Sequence, residues 1–429
     1  MLHNFAAFPP TWMHIDLNSC FAGIEQQANP LLRGKPIAVA AYTTPHGCIL
    51  APSIEAKRYG VKTGMQVQEG QTLCPRLIVL PSDPPKYRFV NRALLRLLQK
   101  YSPVVSVRSI DEMVLNFRDF LDSSADKINN PRNMSQHTSL NSLAQELKNA
   151  IKAEIGDWLT VSIGIAPNPY LAKLAAGLNK PDGLDTINAQ TILPTLKSLS
   201  LIDLPYIKAK NAMRLASVGI TTSLEFYHAS IQQLKSAFQS INGYYWHLRL
   251  HGYPVDEVEW QRRSIGHSYA LPKPTDNFKE LSQLLCKLVE KMGRRLRNNQ
   301  LTARGIHLAL GYQQEGGWHK GHLFSHTMYS GADLFESALT LLHEASPLQP
   351  VRILAVSCFD LQEDVHQQLT LFRNEIGQRS LTHAMDKVNN IWGEFTLIPA
   401  TMLSVQKQNK ILDRIAFGRV LDMQDVIIN

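Results

Sequence analysis

Two adjacent carboxylates, Asp111 and Glu112, interrupt an apolar stretch in which residues 104–107 and 113–117 read as strands from their β-branched and apolar content. An ionised acid at the end of a buried strand must find a partner. The pair falls at or near a tight hairpin connection, where both side chains can converge on one cation although successive strand residues point to opposite faces. A polar turn with two solvated acids would look the same taken alone. A third acid, Asp16, ends the short apolar run 12–16 just before helix-like spacing begins at Phe21, so it occupies a strand-to-helix junction. Backbone N–H groups at such a junction can meet an anion. Three carboxylates from two strands suit hard divalent cations, which take oxygen ligands and leave room for phosphate oxygens and water. Cations so held lower the pKa of an attacking hydroxyl and stabilise a leaving pyrophosphate, which is the chemistry of nucleotidyl transfer. Lys57, Arg58 and Lys180 are available to hold a triphosphate.

For the acids to meet, the elements carrying them must be neighbours. Strand 13–16, a helix, strands 104–110 and 113–117, helix 140–155 and strand 161–165 follow a split β-α-β-β-α-β plan, which sets the end of the first strand beside the central hairpin. Between them lies a small unit punctuated by Gly and Pro, with strands 36–41 and 48–51 and a short helix 55–60. Helix 87–101 sets Leu94, Leu97 and Leu98 against Arg88, Arg92, Arg96 and Lys100. A helical module spans 201–226, and 252–263 is a plausible linker. Beyond it a basic amphipathic helix, 276–298, leads into strand 305–310, helix 332–345 and strand 352–359, a second two-layer α+β unit.

At 429 residues the chain exceeds what one core usually supports, so two to four domains are expected. Its net charge of +8 fits a polyanionic partner and leaves nucleic acid and an acidic membrane surface both open. Five scattered cysteines without a Cys-x-x-Cys pair disfavour a disulfide framework or a zinc site and fit a reducing cytosol. No leader-like start and no run of 18 apolar residues is seen, so the expectation is a soluble, cytoplasmic protein with no membrane partner.

Residues 14–25 (HIDLNSCFAGIE), 55–65 (EAKRYGVKTGM), 109–112 (SIDE), 162–166 (SIGIA), 179–184 (NKPDGL) and 264–266 (SIG) closely resemble, in order, the motifs of the Y-family (translesion) DNA polymerases. The resemblance covers roughly residues 11 to 405 and is nearest to the bacterial DNA polymerase IV and UV-mutagenesis branches. It implies an α+β multidomain right hand: palm (1–20 and 86–187, β-α-β-β-α-β), small fingers (21–85), helical thumb (188–252), linker (253–263), an α+β little finger that binds duplex (264–363), and a C-terminal extension (364–429). The implied metal ligands are Asp16, Asp111 and Glu112 with the Leu17 carbonyl, holding two Mg²⁺ ions for which Mn²⁺ can substitute. Asn18, Ser19, Cys20, Phe21, Lys57, Arg58 and Lys180 form the implied nucleotide site, with Phe21 the steric gate that excludes a ribose 2′-OH.

Departures accompany the matches. Ile54 stands where the family has tyrosine, and Lys57 replaces an arginine, losing its bidentate fork. The thumb segment 204–210 resembles a helix-hairpin-helix but lacks both glycines, leaving Lys208 and Lys210 to meet DNA phosphate as point charges. On the little finger, Lys287, Lys291, Arg294, Arg295, Arg297 and Arg304 are expected to track the duplex backbone, since nearby acids in the sequence do not account for their crowding. Gln368, Leu369, Leu371 and Phe372, in QLTLF, match the peptide that bacterial polymerases insert into the sliding clamp. The implied activity is low-fidelity extension of a primer on template DNA from dNTPs, without proofreading, by a monomer. The alternative is a catalytically weak or inactive accessory protein that binds DNA and the clamp.

Overall fold

A computed structural model describes residues 5, 6, 8–102, 104–118, 139–255, 263–345, 349–364 and 375–403. The chain divides into two compact units, the first running to Glu259 and the second starting at Trp260.

The first unit begins with β1 (Trp12–Leu17), which leads into α1 (Cys20–Ala28). A three-stranded sheet follows, β2 (Ile37–Ala40), β3 (Ile49–Pro52) and β4 (Ile78–Pro81), with α2 (Ile54–Arg58) and α3 (Val67–Leu73) between the strands. Here α3 and β4 are additions to the expected elements. Next come α4 (Pro84–Leu98), β5 (Val105–Val107), β6 (Glu112–Asn116), α5 (Leu140–Glu154), β7 (Val161–Ala166), α6 (Pro169–Leu178) and β8 (Leu184–Thr186).

The palm sheet has the order β5-β6-β1-β7-β8, so the expected plan is present with β8 added at the edge. β1 lies between β6 and β7 and is antiparallel to both, with Asp16 opposite Glu112. A strand whose sheet is covered on both faces can be apolar on both. Met13 and Ile15 pack with Leu94, Leu97 and Leu98 of α4 and Leu143 and Leu147 of α5 on one face, while Trp12 packs with Tyr170 and Leu171 of α6 on the other. Each fully buried side chain of this size contributes roughly 1.5–3 kcal/mol. Gly164 is what lets α6 approach β7, because a Cβ there would lie 2.1 Å from the Ala172 carbonyl oxygen. The second core continues into the thumb, α7 (Ile192–Lys197), α8 (Ala209–Ala216), α9 (Ser223–His228), α10 (Ile231–Phe238) and α11 (Asn242–Leu250), through Leu204, Ile207, Phe226 and Trp246.

The second unit holds β9 (Ser264–Thr275), α12 (Phe278–Asn298), β10 (Leu301–Tyr312), β11 (Gly317–Met328), α13 (Gly331–Glu344), β12 (Val351–Glu363) and α14 (Glu375–Trp392). Its sheet has the order β11-β10-β12-β9, with all neighbours antiparallel. Leu285, Val289 and Met292 of α12 and Leu334, Ala338 and Leu341 of α13 pack with Ile306, Leu308, Leu354 and Val356 of the sheet.

Candidate active site

The sequence turns sharply after β1. Ser19 adopts a left-handed φ of 49° before α1 starts, and the Leu17 amide donates to the Asp111 carbonyl at 2.9 Å. That bond ties the end of β1 to the β5–β6 hairpin. Asp111 sits in the connection, its carboxylate accepting from the Ser109 hydroxyl, and Glu112 is the first residue of β6. Asp16 and Glu112 are thus partners across the β1–β6 pair, with Asp111 in the connection beside them.

Asp16, Leu17, Ser19, Cys20, Phe21, Lys57, Asp111 and Lys180 face a common cleft of about 270 Å³, closed on the finger side by Leu50, Ala51 and Pro52. Lys180 Nζ lies 2.5 Å from Asp16 Oδ2. Burial pushes the Asp16 carboxyl up to about 6, with Lys180 opposing and the charges of Asp111 and Glu112 adding. Burial, with Lys180 close by, holds the Lys57 ammonium below the usual lysine range, and Asp16 works against that shift.

Glu112 lies beside the cleft and is held by Lys173 of α6, whose ammonium reaches both carboxylate oxygens. Burial would lower Lys173, but Glu112, with Tyr206 and Asp16 adding, leaves the ammonium above its ordinary range. His14 lies beneath, two residues before Asp16 and so on the same face of β1. Its Nε2 is 3.8 Å from Glu112, both ring nitrogens are buried without a hydrogen-bond partner, and burial, then Lys173, Lys180 and Arg108, depress its pKa. Donor atoms of His14, Asp16 and Glu112 lie within 4.8 Å of one another. A divalent cation fits this donor set, with carboxylate oxygens on an open cleft and ammonium groups now balancing the same charge.

Phe21 lies in the cleft wall, 3% exposed, stacked on Tyr87 of α4 with ring centroids 4.4 Å apart and planes 11° apart. The Tyr87 hydroxyl donates to Glu25 Oε1 at 2.9 Å, and Lys86 reaches Glu25 Oε2 at 2.7 Å. Phe21 and Glu25 are one turn apart on α1, so one helix face is fastened to α4 at both points. The sequence identified Phe21 but not its backing by Tyr87 and Glu25, nor His14 and Lys173. The i−2 spacing from Asp16 could have found His14, whereas only the packing of α6 reveals Lys173.

Two nucleotide-site residues do not face the cleft. The Asn18 amide is engaged with Thr160 and Ser162, joining β1 to β7, and Arg58 is exposed on another side of α2. Lys208 and Lys210 are exposed at the start of α8.

In the second unit the basic residues divide. Arg297 is a two-pronged partner of Asp386, with Nη2 to Oδ1 at 2.9 Å, and Nη1 donates to the Tyr329 carbonyl. Arg294 donates to Asn390 at 2.7 Å and lies 3.5 Å from Glu394, while Lys291 and Lys287 sit over the Phe395 ring. α14 and the segment after it supply partners to this row within the second unit. The acids that pair with it come some 90 positions later, out of view of any local reading. Arg295 donates to the Gly266 carbonyl and Arg304 lies 3.9 Å from Asp360, leaving Arg304 part-exposed on the sheet. Residues 368–372 lie outside the described residues.

A sheet carrying three acids, a finger module over the cleft, a helical thumb and a separate α+β unit make a right-hand polymerase. The chain belongs to the impB/mucB/samB family, whose model matches residues 15–177 and whose C-terminal domain model matches 262–371, and it is a Y-family DNA polymerase. It is 32% identical to a DNA polymerase IV of Pelotomaculum thermopropionicum over 91% of this chain and 94% of that one, and 30% identical to DNA polymerase IV 1 of Bacillus subtilis over 89% and 90%. Among solved structures, a chimeric Y-family DNA polymerase matches with a TM-score of 0.70 at 25% identity, over 82% of this chain and 99% of that one. An insertion ternary complex of Dbh DNA polymerase shares the fold, with a TM-score of 0.54 at 24% identity.

Proposed function

We propose that Asp16, Asp111 and Glu112 carry template-directed DNA synthesis of the translesion type, extending a primer with dNTPs. The observation supporting this is that two of the acids, both triphosphate lysines and the Phe21 ring face one cleft. Asp16, Asp111, Glu112 and the Leu17 carbonyl would hold two Mg²⁺ ions, or Mn²⁺ in their place. When bound, these supply charge neutralisation at the primer hydroxyl and the pyrophosphate. Lys180 exchanges its carboxylate for a triphosphate oxygen, Lys57 grips the same group from the fingers, and Ser19 and Cys20 form the floor. Phe21, unable to turn because Tyr87 backs it, excludes a 2′-OH.

The palm, fingers, thumb and little finger follow the residue ranges given above. Lys208 and Lys210 hold duplex phosphate from the thumb. In the little finger, one face of the sheet is taken by α12 and α13, so the duplex lies on the other, with Arg304 and the small side chains Ala309, Ala355 and Ser357 allowing close approach of the backbone. Gln368, Leu369, Leu371 and Phe372 engage a sliding clamp, and the protein acts as a cytoplasmic monomer. No described helix is long and apolar enough to cross a membrane. The retained acids disfavour an accessory protein that only binds DNA and clamp.

Primer extension on undamaged template tests the reading. Asp111→Ala with Glu112→Ala lowers incorporation by about a thousandfold or more, since removing groups that stabilise developing charge costs several kcal/mol each, while DNA binding persists. Equal, low incorporation by wild type and variant would return the chain to the accessory class.

A further inference from the structure

Tyr206 stands at the turn of the thumb hairpin with φ of 66°, a backbone region that glycine takes freely and a bulky residue takes under strain. Buried Leu204 and Ile207 flank it, and Asn211 Nδ2 donates to its carbonyl at 3.1 Å, so the turn is fixed. The residue is nevertheless 63% exposed. Strain combined with a large exposed ring points to a use at this position.

The ring's neighbour supplies one. Lys173 Nζ lies over it, 5.7 Å from the centroid, within reach of a cation–π attraction. The same ammonium holds both oxygens of Glu112. Ring, ammonium and carboxylate thus form a line from the thumb hairpin to the first residue of β6. The close seating of α6 on β7 at Gly164 fixes where the lysine stem starts, leaving its tip to be placed by what it touches.

We propose that Tyr206 and Lys173 are positioning residues for Glu112, with Tyr206 acting through Lys173. Lys208 and Lys210 follow the ring by two and four residues on the same hairpin. The inference rests on Glu112 being a metal ligand.

The test uses the full chain with Tyr206→Gly, Tyr206→Phe, Lys173→Met and the double variant Tyr206→Gly with Lys173→Met. Primer extension is measured alongside Mn²⁺ binding followed by electron paramagnetic resonance without DNA or nucleotide. Glycine suits the turn, so Tyr206→Gly folds. Its kcat and its Mn²⁺ affinity each change by about two- to fivefold, with primer-template Kd essentially unaltered. Tyr206→Phe keeps the ring and behaves as wild type. The double variant is no worse than Lys173→Met, because both act on one path. Wild-type kcat and Mn²⁺ binding in Tyr206→Gly would overturn the proposal, as would losses that multiply in the double variant or a Tyr206→Phe as impaired as Tyr206→Gly. Glu112→Ala separates the two levels. Extension surviving there removes Glu112 from the site and the proposal with it, whereas its loss beside an unaffected Tyr206→Gly overturns the positioning role alone.

Discussion

In the palm, the ammonium groups of Lys173 and Lys180 rest on carboxylates at an open cleft, whereas on α12 the guanidiniums of Arg294 and Arg297 rest on Asp386, Asn390 and Glu394 under another helix. Both arrangements join cations to oxygen acceptors at hydrogen-bond distance, but they differ in access. The Lys180 side chain is 39% exposed, that of Arg297 only 4%. An exposed partner can be exchanged for a ligand, while a buried one belongs to the structure. Clustered charge in the sequence therefore marks either a site or an internal seam, and burial decides between them.

The largest effect that separates the two regions is on stability. Asp386→Ala leaves Arg297 buried with the Tyr329 carbonyl as its remaining acceptor among the described residues, and removing one member of a buried pair costs about 3–5 kcal/mol. Lys180→Met removes a part-exposed lysine and leaves Asp16 on an open cleft where it can take up a proton, so it costs less. Denaturant unfolding of the full chain, with separate probes for each unit, compares them. If Asp386→Ala matched Lys180→Met, the α12–α14 seam would be no firmer than a surface contact, and the basic row would again be open to DNA.

Next in size is the contrast between Phe21, the proposed gate, and its support. Phe21→Ala opens the cleft wall, and the rNTP share of incorporation rises by roughly ten- to a hundredfold, the worth of a pocket contact of a few carbon atoms. Tyr87→Leu keeps bulk but removes the stack and the Glu25 hydrogen bond, a smaller loss of about 0.5–1.5 kcal/mol for the aromatic pair. It raises the same ratio several-fold. Single-nucleotide insertion with matched dNTP and rNTP measures both, and an unchanged ratio in Phe21→Ala would remove the gate from this residue.

These contrasts also mark what the sequence made legible. The acids were readable because an ionised residue ending an apolar strand is unusual by itself, and the β-α-β-β-α-β plan needed only local periodicity to bring Asp16 opposite Glu112. β11 was missed because its Gly, His and Lys content carries no alternation, although pairing with β10 suffices to make it a strand. β4 was missed because its partner, β2, lies far back in the chain. The counter-charges of the basic row of α12 lie on α14, beyond any short-range pattern. Lys173 went unassigned for a related reason: a single lysine on an apolar helix acquires meaning only when the helix is seated on β7.

The smallest predicted effect concerns a residue on the cleft itself. Lys57 is a point charge where the family has arginine, and the tyrosine position before it is Ile54. Burial already lowers the Lys57 ammonium, and Lys180 lowers it further, so two lysines on the proposed triphosphate would repel one another. A guanidinium is less strongly hydrated and offers a planar fork to two phosphate oxygens at once. Lys57→Arg therefore lowers the dNTP KM, by about two- to tenfold for one improved charge-assisted contact, with kcat changed less because the carboxylates are untouched. Adding Ile54→Tyr supplies a second contact and lowers KM again. Steady-state insertion over a dNTP series reads this directly. A higher KM in Lys57→Arg would mean that the cleft is shaped around the slimmer lysine, and that the departure at this position is a fitted feature of the fingers rather than a weakened grip.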